Sequence, residues 1–385
     1  MNPQAEFDII VYGATGFTGR LVAEYLAARY GVGGEVRWAM AGRSAAKLAQ
    51  VRDEIGAPAD TPLIVADAAD PASLRAMVAR AKAVLTTVGP YQLYGSDLVA
   101  ACAAAGTDYL DLSGEPNWMA EMIAAHDAAA KASGARIVFS CGFDSIPFEL
   151  GVIFTQGLAK ARLGHPVPRI KGRVRSMRGG LSGGTAASGA ATMAAIQKNP
   201  ALAGLMFDPF ALTPGFKGPA QPDGMTTHLD PDLDQEVGPF MMATINTKNV
   251  HRSNFLQGRP WGADFAYDEM AVVAPGAATA FTSLGGAGGP QPGEGPSKEE
   301  REAGFYDLLF IGVDADGRQV RGSVHGDRDP GYGSTSRIIA ETAICLVKEA
   351  ADVPGGVWVP GAALGQKLIA RLSANAGLSF KDETA

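Results

Sequence analysis

The chain has 385 residues, of which 46% are hydrophobic and 19% charged, and its formal net charge is -7. This length predicts two domains, and the negative charge disfavours nucleic acid and anionic membranes as partners. Cys102, Cys141 and Cys345 form no CxxC pair, so we expect no metal site and no disulfide framework. There is no leader-like N-terminus and no apolar window of roughly 18 to 20 residues, so we expect a cytoplasmic protein without a transmembrane segment.

The first predicted elements are a strand, a glycine turn and a helix. Residues 9–12 are β-branched or aromatic, three glycines follow as GxxGxxG at Gly13, Gly16 and Gly19, and residues 20–29 place apolar side chains at helical spacing. Such a turn binds the pyrophosphate of a dinucleotide, because it allows close backbone approach at a helix N-terminus. The expected contacts are Gly13, Ala14, Thr15, Gly16, Phe17, Thr18 and Gly19.

The end of the second predicted strand, residues 35–44, distinguishes NAD from NADP. An acidic residue there would bind the ribose hydroxyl, but this chain has Arg43 and Ser44, followed by Lys47. Arg43 can pair with a 2′-phosphate, Ser44 can hydrogen-bond it and Lys47 adds charge. The pattern therefore favours NADP(H), and its alternative is a surface arginine beside a serine that caps a helix.

Further strands follow in alternation with helices, so the β/α pattern covers residues 7–142. The predicted strands are 61–67, 83–91, 109–113 and 136–140, with an alanine-rich helix at 119–133. Asp67 either contacts adenine or caps the following turn. The turn at Val88, Gly89 and Pro90 is expected beside the pyrophosphate and the nicotinamide ribose. Cys141 and Gly142, after the last strand, complete the expected cofactor contacts.

Several motifs occur together in a fixed order. They are the glycine loop, residues 41–44, 87–91, 109–115 and 141–147, and later residues 182–188, 329–335 and 360–365. The set resembles the saccharopine dehydrogenase-like oxidoreductases, and more narrowly the branch that contains bacterial trans-acting enoyl reductases of lipid biosynthesis. The resemblance implies an α/β fold with an N-terminal Rossmann domain, a doubly wound parallel sheet, a C-terminal α+β domain and NADP(H) as cofactor. It leaves the substrate open.

The predicted domain organisation has three parts. Residues 1–147 form the NADP-binding Rossmann domain, residues 148–360 form an α+β domain for substrate binding or dimerisation, and residues 361–385 hold a C-terminal helix that can return to the Rossmann domain. A homodimer is one expected assembly.

Several segments of the second domain carry signals of their own. Residues 169–178 alternate basic with other side chains, which indicates a sheet face open to water or to an anionic ligand. The glycine-rich residues 179–184 lead into a helix at 185–196, which can hold an anion or pack closely on the sheet. Residues 200–240 contain seven prolines, so we expect an extended loop or lid whose apolar side chains anchor it or line an acyl tunnel.

The rest of the second domain is predicted in outline. Residues 241–253 form a helix that can face the cleft, and residues 274–296 form a connector. A hairpin is expected at 305–313 and 319–327 around Asp316-Gly317. Long helices follow at 332–348 and 362–374.

No proton donor is obvious in the sequence. Nicotinamide supplies the hydride, but no tyrosine in the first domain's motifs has the lysine spacing of short-chain reductases. The candidates at the sheet edge are Tyr91, Glu115, Cys141, Asp144 and Ser145. Tyr91 can instead form a pocket wall, and Asp144-Ser145 can cap a helix. His251 in the second domain is a further candidate, so the predicted catalytic residues are Tyr91, Asp144 and His251.

Three functions agree with these patterns. The first is an NADP(H)-dependent oxidoreductase that reduces a C=C or C=O bond of a small lipid-like or acyl substrate. The second is an amino-acid dehydrogenase of the saccharopine type, in which the basic strand at 169–178 binds substrate carboxylates. The third is a sensor or scaffold that binds NADP(H) without turnover.

Overall fold

The computed structural model describes residues 5–179, 183–273 and 293–385. Its strands are β1 Phe7–Tyr12, β2 Trp38–Gly42, β3 Leu63–Val65, β4 Ala81–Thr86, β5 Asp108–Leu110, β6 Arg136–Val138, β7 Arg169–Arg178, β8 His228–Asp230, β9 Gln235–Pro239, β10 Ala266–Val272, β11 Phe305–Val313, β12 Gln319–Gly326, β13 Gly356–Trp358 and β14 Leu378–Asp382.

Helices connect most of these strands. They are α1 Phe17–Tyr30, α2 Ala45–Glu54, α3 Pro71–Val78, α4 Tyr91–Tyr94, α5 Ser96–Ala105, α6 Pro116–Ser133, α7 Ile146–Leu163, α8 Gly183–Lys198, α9 Leu202–Phe207, α10 Ala243–Leu256, α11 Lys298–Glu302, α12 Thr335–Glu349 and α13 Pro360–Asn375. A π-helical turn at Pro330–Ser334 precedes α12.

The first sheet has the strand order β3-β2-β1-β4-β5-β6-β13, and every pairing in it is parallel. Helices cover both of its faces, which is why β1 is apolar on both sides and fully buried. Ile9 and Val11 pack into a cluster with α1 and α12, whereas Ile10 and Tyr12 pack against α3, α5 and α6. The predicted doubly wound Rossmann sheet is confirmed.

The second sheet has the order β14-β12-β11-β7-β10-β9-β8 and is mixed, because only β7 and β10 run parallel. Helix α7 packs on β11 and β12, and α13 packs on α7. The predicted hairpin is present as β11 and β12, with Gly317 at a φ of 81° in its turn. The C-terminal α+β architecture is therefore as predicted.

The basic strand β7 differs from the prediction of a face open to water. The Arg173 side chain is 2% exposed and makes ion pairs of 2.7 Å with both Asp230 and Asp268. Its neighbours on the same face are also paired: Arg169 with Asp268, and Lys171 with Asp232. Acidic side chains from β8, the turn after β8 and β10 neutralise this face. These partners lie far from β7 in the sequence, so the alternation of residues within β7 does not reveal the pairing.

Two elements from the C-terminal part of the chain belong with the first sheet. Strand β13 pairs with β6, and α12 packs on α1, β1 and β4. A single apolar cluster runs from β1 through α12 and α7 to β11 and β12. The division of the chain at residues 147 and 360 remains a proposal, and these contacts place β13 and α12 beside the Rossmann elements.

Two predicted segments lie wholly or partly outside the described residues. These are the connector at 274–296, of which 293–296 are described, and the glycine-rich residues 179–184, of which 180–182 are not. Within residues 5–179, 183–273 and 293–385, no helix has the length and apolar character needed to cross a membrane.

The buried ion pairs of β7 predict a large stability difference between two arginine substitutions. Arg173→Met leaves Asp230 and Asp268 buried beside an apolar side chain, so we expect a loss of about 3–5 kcal/mol in the free energy of unfolding. The control, Arg162→Met, breaks a half-exposed pair with Asp382 and should cost less than about 1 kcal/mol. Urea unfolding measures both values, and equal losses would contradict the buried pairing.

Candidate active site

A cavity of about 310 Å³ opens at the carboxyl edge of the first sheet, where ligands bind in doubly wound folds. Residues that follow the strands form one wall: Thr87 and Gly89 after β4, Leu112 to Glu115 after β5, and Ser140, Gly142, Asp144 and Ser145 after β6. The opposite wall consists of Ser188, Gly189, Thr192 and Met193 of α8, of Met206, of Met241, Met242, Thr244 and Ile245, and of Gly331, Tyr332 and Thr335. The cavity therefore lies between the carboxyl edge of the first sheet and a wall made by α8, α9, the start of α10 and the π-helical turn.

The glycine turn has the geometry of a pyrophosphate cradle. Gly13 has a φ of 92°, and a Cβ atom on Gly19 would lie 2.2 Å from the Gly13 carbonyl oxygen. Only glycine lets α1 begin this close to the turn. Gly16 is the N-cap of α1 and has no side chain with which to cap it, so N–H groups of the first helical turn are available to a phosphate.

The residues between the glycines differ in their availability. Ala14 is buried and donates its N–H to the Ala41 carbonyl oxygen, so this N–H is already used. Thr18 lines the cavity. The Phe17 ring packs edge-on against Tyr332 at 5.2 Å, and the Arg301 guanidinium lies 5.8 Å from its centre. Phe17 thus anchors the glycine turn to the π-helical turn, a role that its sequence position did not suggest.

The residues expected to select the 2′-phosphate lie together after β2. Arg43 and Lys47 are both exposed, and among the described residues no hydrogen bond or ion pair engages either side chain. The Ser44 hydroxyl caps α2 by accepting the Lys47 N–H at 3.3 Å. Two unpaired cations beside a helix N-terminus fit an added phosphate.

The remaining predicted cofactor residues divide between turn and cavity. The Asp67 carboxylate accepts the Ala69 N–H at 3.0 Å, which agrees with the turn role, and its contact with adenine stays a prediction. Gly89 lines the cavity, and a Cβ atom there would lie 3.6 Å from the Ser188 hydroxyl of α8. Val88 donates its N–H to Thr86, while Pro90 caps α4. The turn after β4 therefore faces α8 across the cavity.

The Asp111 carboxylate joins the ends of β5 and β6. It accepts the N–H groups of Ser113 and Ser140 at 3.0 and 2.9 Å, and the Tyr109 hydroxyl at 2.9 Å. Ser140 has a φ of 62°, a conformation that costs about 1–3 kcal/mol in residues other than glycine. Burial raises the pKa of Asp111 to about 7 against these donors. The strained edge of the cavity thus depends on a carboxylate that the sequence analysis did not single out.

Tyr91 and Glu115 form a second clamp. The buried Glu115 carboxylate accepts the N–H groups of Tyr91 and Gln92 at 2.9 and 2.8 Å. The Tyr91 hydroxyl donates to the Thr86 carbonyl oxygen and accepts the Leu112 N–H, and burial raises its pKa well above the usual value. Tyr91 has the wall position that was its alternative.

Cys141 and His251 lie away from the cavity surface. Cys141 is fully buried, and its thiol faces the Val138 carbonyl oxygen at 3.4 Å, whereas its neighbour Gly142 lines the cavity. His251 packs against Phe210 and bonds Gln221 at 3.1 Å. Burial lowers the pKa of His251 to about 3, so the imidazole is uncharged and has a structural position.

Asp144 and Ser145 both line the cavity but differ in their bonding. The Ser145 hydroxyl donates to Asn246 at 3.2 Å and accepts from Asn249 at 2.9 Å. Among the described residues, nothing hydrogen-bonds or ion-pairs with the Asp144 carboxyl, and burial raises its pKa to about 6. Of the predicted catalytic residues, Asp144 has an unengaged acidic group in the cavity.

The wall opposite the first sheet is rich in methionine. Met193, Met206, Met241 and Met242 all line the cavity. Methionine is flexible and polarisable, so such a wall adapts to apolar ligands of varied shape. Met206 lies within the apolar run proposed for an acyl tunnel, and Met241 and Met242 begin the segment that was predicted to face the cleft. Met193 of α8 carried no such signal, because it meets the other methionines only in the fold.

Comparison with known proteins identifies the class of this site. Residues 9–138 match the model of the saccharopine dehydrogenase NADP-binding domain. Saccharopine dehydrogenase (L-Glu forming) of Saccharomyces cerevisiae has the same fold, with a TM-score of 0.55 over 98% of this chain and 99% of that one, at 12% identity. The cradle after β1 and the two cations after β2 fit the cofactor of this domain. The chain is an NADP(H)-dependent oxidoreductase.

Its relatives define the family. A Mycobacterium tuberculosis protein provisionally named a trans-acting enoyl reductase is 39% identical over 411 residues, which covers 98% of this chain and 97% of its own. The trans-acting enoyl reductase of Mycobacterium leprae is 38% identical over 412 residues, with 97% of both chains covered. The chain belongs to the family of trans-acting enoyl reductases, and the predicted family is confirmed.

Two glycines of the turn should respond differently to alanine. In Gly19→Ala the new methyl group collides with the Gly13 backbone, so we expect a loss of about 1–3 kcal/mol or more in stability. Gly16→Ala meets its nearest atom at 3.4 Å and should fold normally, yet bind NADPH roughly 10-fold more weakly because the methyl group blocks phosphate approach.

Thermal unfolding and NADPH fluorescence titration measure the two effects. Gly204→Ala is the control, because a Cβ atom there meets nothing within 4 Å. If Gly16→Ala bound NADPH as tightly as this control, the phosphate would not approach Gly16.

Proposed function

We propose that this protein reduces the C=C bond of an enoyl group in an acyl substrate, with NADPH as reductant. The observation that carries the proposal is the composition of the cavity. Its sheet edge contains the unengaged Asp144 carboxyl beside the turn expected to hold nicotinamide, and its other wall contains four methionines. The names of its relatives, 38–39% identical over nearly the whole chain, support the same reaction.

The cofactor would be held by two groups of residues. In the glycine turn, Gly13, Gly16 and Gly19 allow the pyrophosphate to approach the N–H groups of Phe17 and Thr18 at the start of α1. When bound, NADPH supplies the hydride that the reaction needs.

After β2, Arg43 pairs with the 2′-phosphate and Lys47 adds charge. Further along the sheet edge, Gly89 and Gly142 line the cavity where we expect the nicotinamide end. Ala14, Thr15, Val88 and Pro90 shape the two turns through their backbone. Ser44 supports the site as the cap of α2, Asp67 through the turn after β3, and Cys141 through its position in the core.

An apolar acyl substrate agrees better with the second sheet than an amino acid does. The saccharopine-type alternative needed the basic residues of β7 to bind substrate carboxylates. Arg169, Lys171 and Arg173 instead form ion pairs with the acidic side chains of β8, β10 and the turn after β8. Pairs of this kind are costly to break when buried, so a substrate carboxylate would compete poorly for them.

The predicted homodimer and the cytoplasmic location also belong to this proposal. Sedimentation of the purified chain would distinguish a dimer from a monomer, and cell fractionation would test the location.

The reaction is tested with a trans-2-enoyl thioester of medium chain length. We expect NADPH consumption and a saturated thioester as product. Saccharopine-dependent reduction of NADP, with no NADPH consumption on the enoyl thioester, would favour the amino-acid alternative. Tight NADPH binding without turnover on enone, enoyl thioester or imine would favour the sensor.

Arg43 provides a test of cofactor selection. Arg43→Ala should weaken NADPH binding roughly 10- to 100-fold, since a hydrogen bond to a charged partner contributes about 1.5–3 kcal/mol. NADH binding should change little, because NADH lacks the 2′-phosphate.

Arg75→Ala is the matched control. Arg75 is exposed on α3, and its substitution by alanine removes the same charge. Fluorescence titration with both nucleotides gives the dissociation constants. Equal losses for NADPH and NADH would exclude the assigned contact.

A further inference from the structure

Five side chains at the carboxyl edge of the first sheet were candidates to supply a proton, and two of them hold the backbone in place. The Tyr91 hydroxyl donates to the Thr86 carbonyl oxygen at 3.3 Å and accepts the Leu112 N–H at 3.1 Å. Both oxygens of the Glu115 carboxylate accept backbone N–H groups. A proton on Glu115 would cost one of these bonds, so neither group is suited to give a proton to a substrate.

Two further candidates, Cys141 and Ser145, are engaged in contacts with other parts of the protein. The Cys141 thiol is fully buried and faces the Val138 carbonyl oxygen. The Asn246 amide nitrogen donates to Glu269 at 2.7 Å, so its oxygen faces Ser145 and takes the Ser145 hydroxyl proton. Asn249 fills the second position at Ser145 by donating to it at 2.9 Å. Ser145 therefore presents an oxygen lone pair, not a proton, to the cavity.

Asp144 is the remaining candidate. It directly precedes Ser145, at the N-terminus of α7, and lines the cavity. Among the described residues, no donor or cation engages its carboxyl group. Its immediate neighbours, Phe143 and Ser145, are each held by hydrogen bonds to other elements: the Phe143 N–H to Thr335 at 3.0 Å, and Ser145 to α10. The backbone on both sides of Asp144 is thus fixed while its acid group is unengaged.

We propose that Asp144 is the proton donor of the reaction, an inference that rests on the proposed reduction of an enoyl group. The O–H bond of the Asp144 carboxyl breaks, and its electron pair stays on the carboxylate. As the hydride adds at the β carbon, the π bond of the C=C group breaks, and its electron pair forms a C–H bond at the α carbon with the proton from Asp144. The carboxylate then takes a proton from water, so each turnover consumes one NADPH and one proton.

The electrostatic surroundings allow Asp144 to hold a proton near neutral pH. Burial raises its pKa to about 6, and no charge of a neighbouring group contributes. The other titratable side chains that line the described cavity are Tyr91 and Glu115 from the sheet edge and Tyr332 from the π-helical turn. The described residues of α8 and α10 at the cavity carry no charge. A carboxyl with this pKa is matched to general acid catalysis.

The test compares Asp144→Asn with Asp60→Asn, an exposed control outside the cavity. With NADPH and a trans-2-enoyl thioester, we expect Asp144→Asn to lose about 100-fold or more in kcat, as removal of a general acid does. NADPH affinity should stay within about twofold. The wild-type rate should fall as pH rises above about 6, because the active form is protonated, and this dependence should vanish in Asp144→Asn. Asp144→Glu should recover part of the rate.

A second readout does not need turnover. In infrared difference spectra of wild type against Asp144→Asn, with NADPH bound, a protonated-carboxyl band should disappear with a midpoint near pH 6, and Asp60→Asn should not affect it. If wild type and Asp144→Asn were equally active, or if the Asp144 carboxyl were already ionised at pH 5, the assignment of Asp144 as donor would be wrong. The proposed reaction would still stand. A wild type that consumes no NADPH with the enoyl thioester would overturn the proposed reaction itself.

Discussion

The shape of the cavity depends on the buried carboxylate of Asp111. It accepts two backbone N–H groups and one hydroxyl, and thereby ties the segment after β5 to the segment after β6. Hydrogen bonds to a charged group contribute about 1.5–3 kcal/mol each, which is enough to offset the strained backbone of Ser140. Ser113 and Ser140, whose N–H groups Asp111 accepts, both line the cavity, as does Gly142 in the same segment as Ser140. Glu115 holds the turn after β4 in the same way, by accepting backbone N–H groups.

A shared core keeps the two walls of the cavity in a fixed relation. Tyr25 and Tyr30 of α1 both donate to the Glu341 carboxylate of α12, and Arg371 of α13 pairs with its other oxygen. Helix α13 also packs on α7, which covers the second sheet. Phe17 adds a contact at the site itself, between the glycine turn and the π-helical turn. The glycine turn, the π-helical turn and the helix that covers the second sheet therefore belong to one packed body.

Six strands of the first sheet could be predicted approximately, because their signals are local, whereas β13 comes from the C-terminal part of the chain and was not predicted. Each buried parallel strand is a short apolar run, and the glycine turn and Arg43 follow their strands directly in the sequence. The second sheet could be predicted only in outline. The hairpin of β11 and β12 has a local turn signal at Gly317, but the pairing of β7 with β10 and the partners of Arg173 join residues far apart in the chain. For this reason the face of β7 forms ion pairs, although it was predicted to be open to water.

The sequence by itself determined the cofactor, the Rossmann fold and the family, since each is signalled by short motifs whose own residues are adjacent in the chain. It also indicated Asp144 as one of five possible proton donors at the carboxyl edge of the first sheet. The choice among them was decided by the tertiary structure, because hydrogen-bond partners from β4, α4 and α10 engage Tyr91, Glu115 and Ser145 and leave Asp144 unengaged. The methionine wall was likewise decided by the fold. The residue type alone gives the chemistry of a side chain, but whether that side chain can act on a substrate depends on the residues that pack against it.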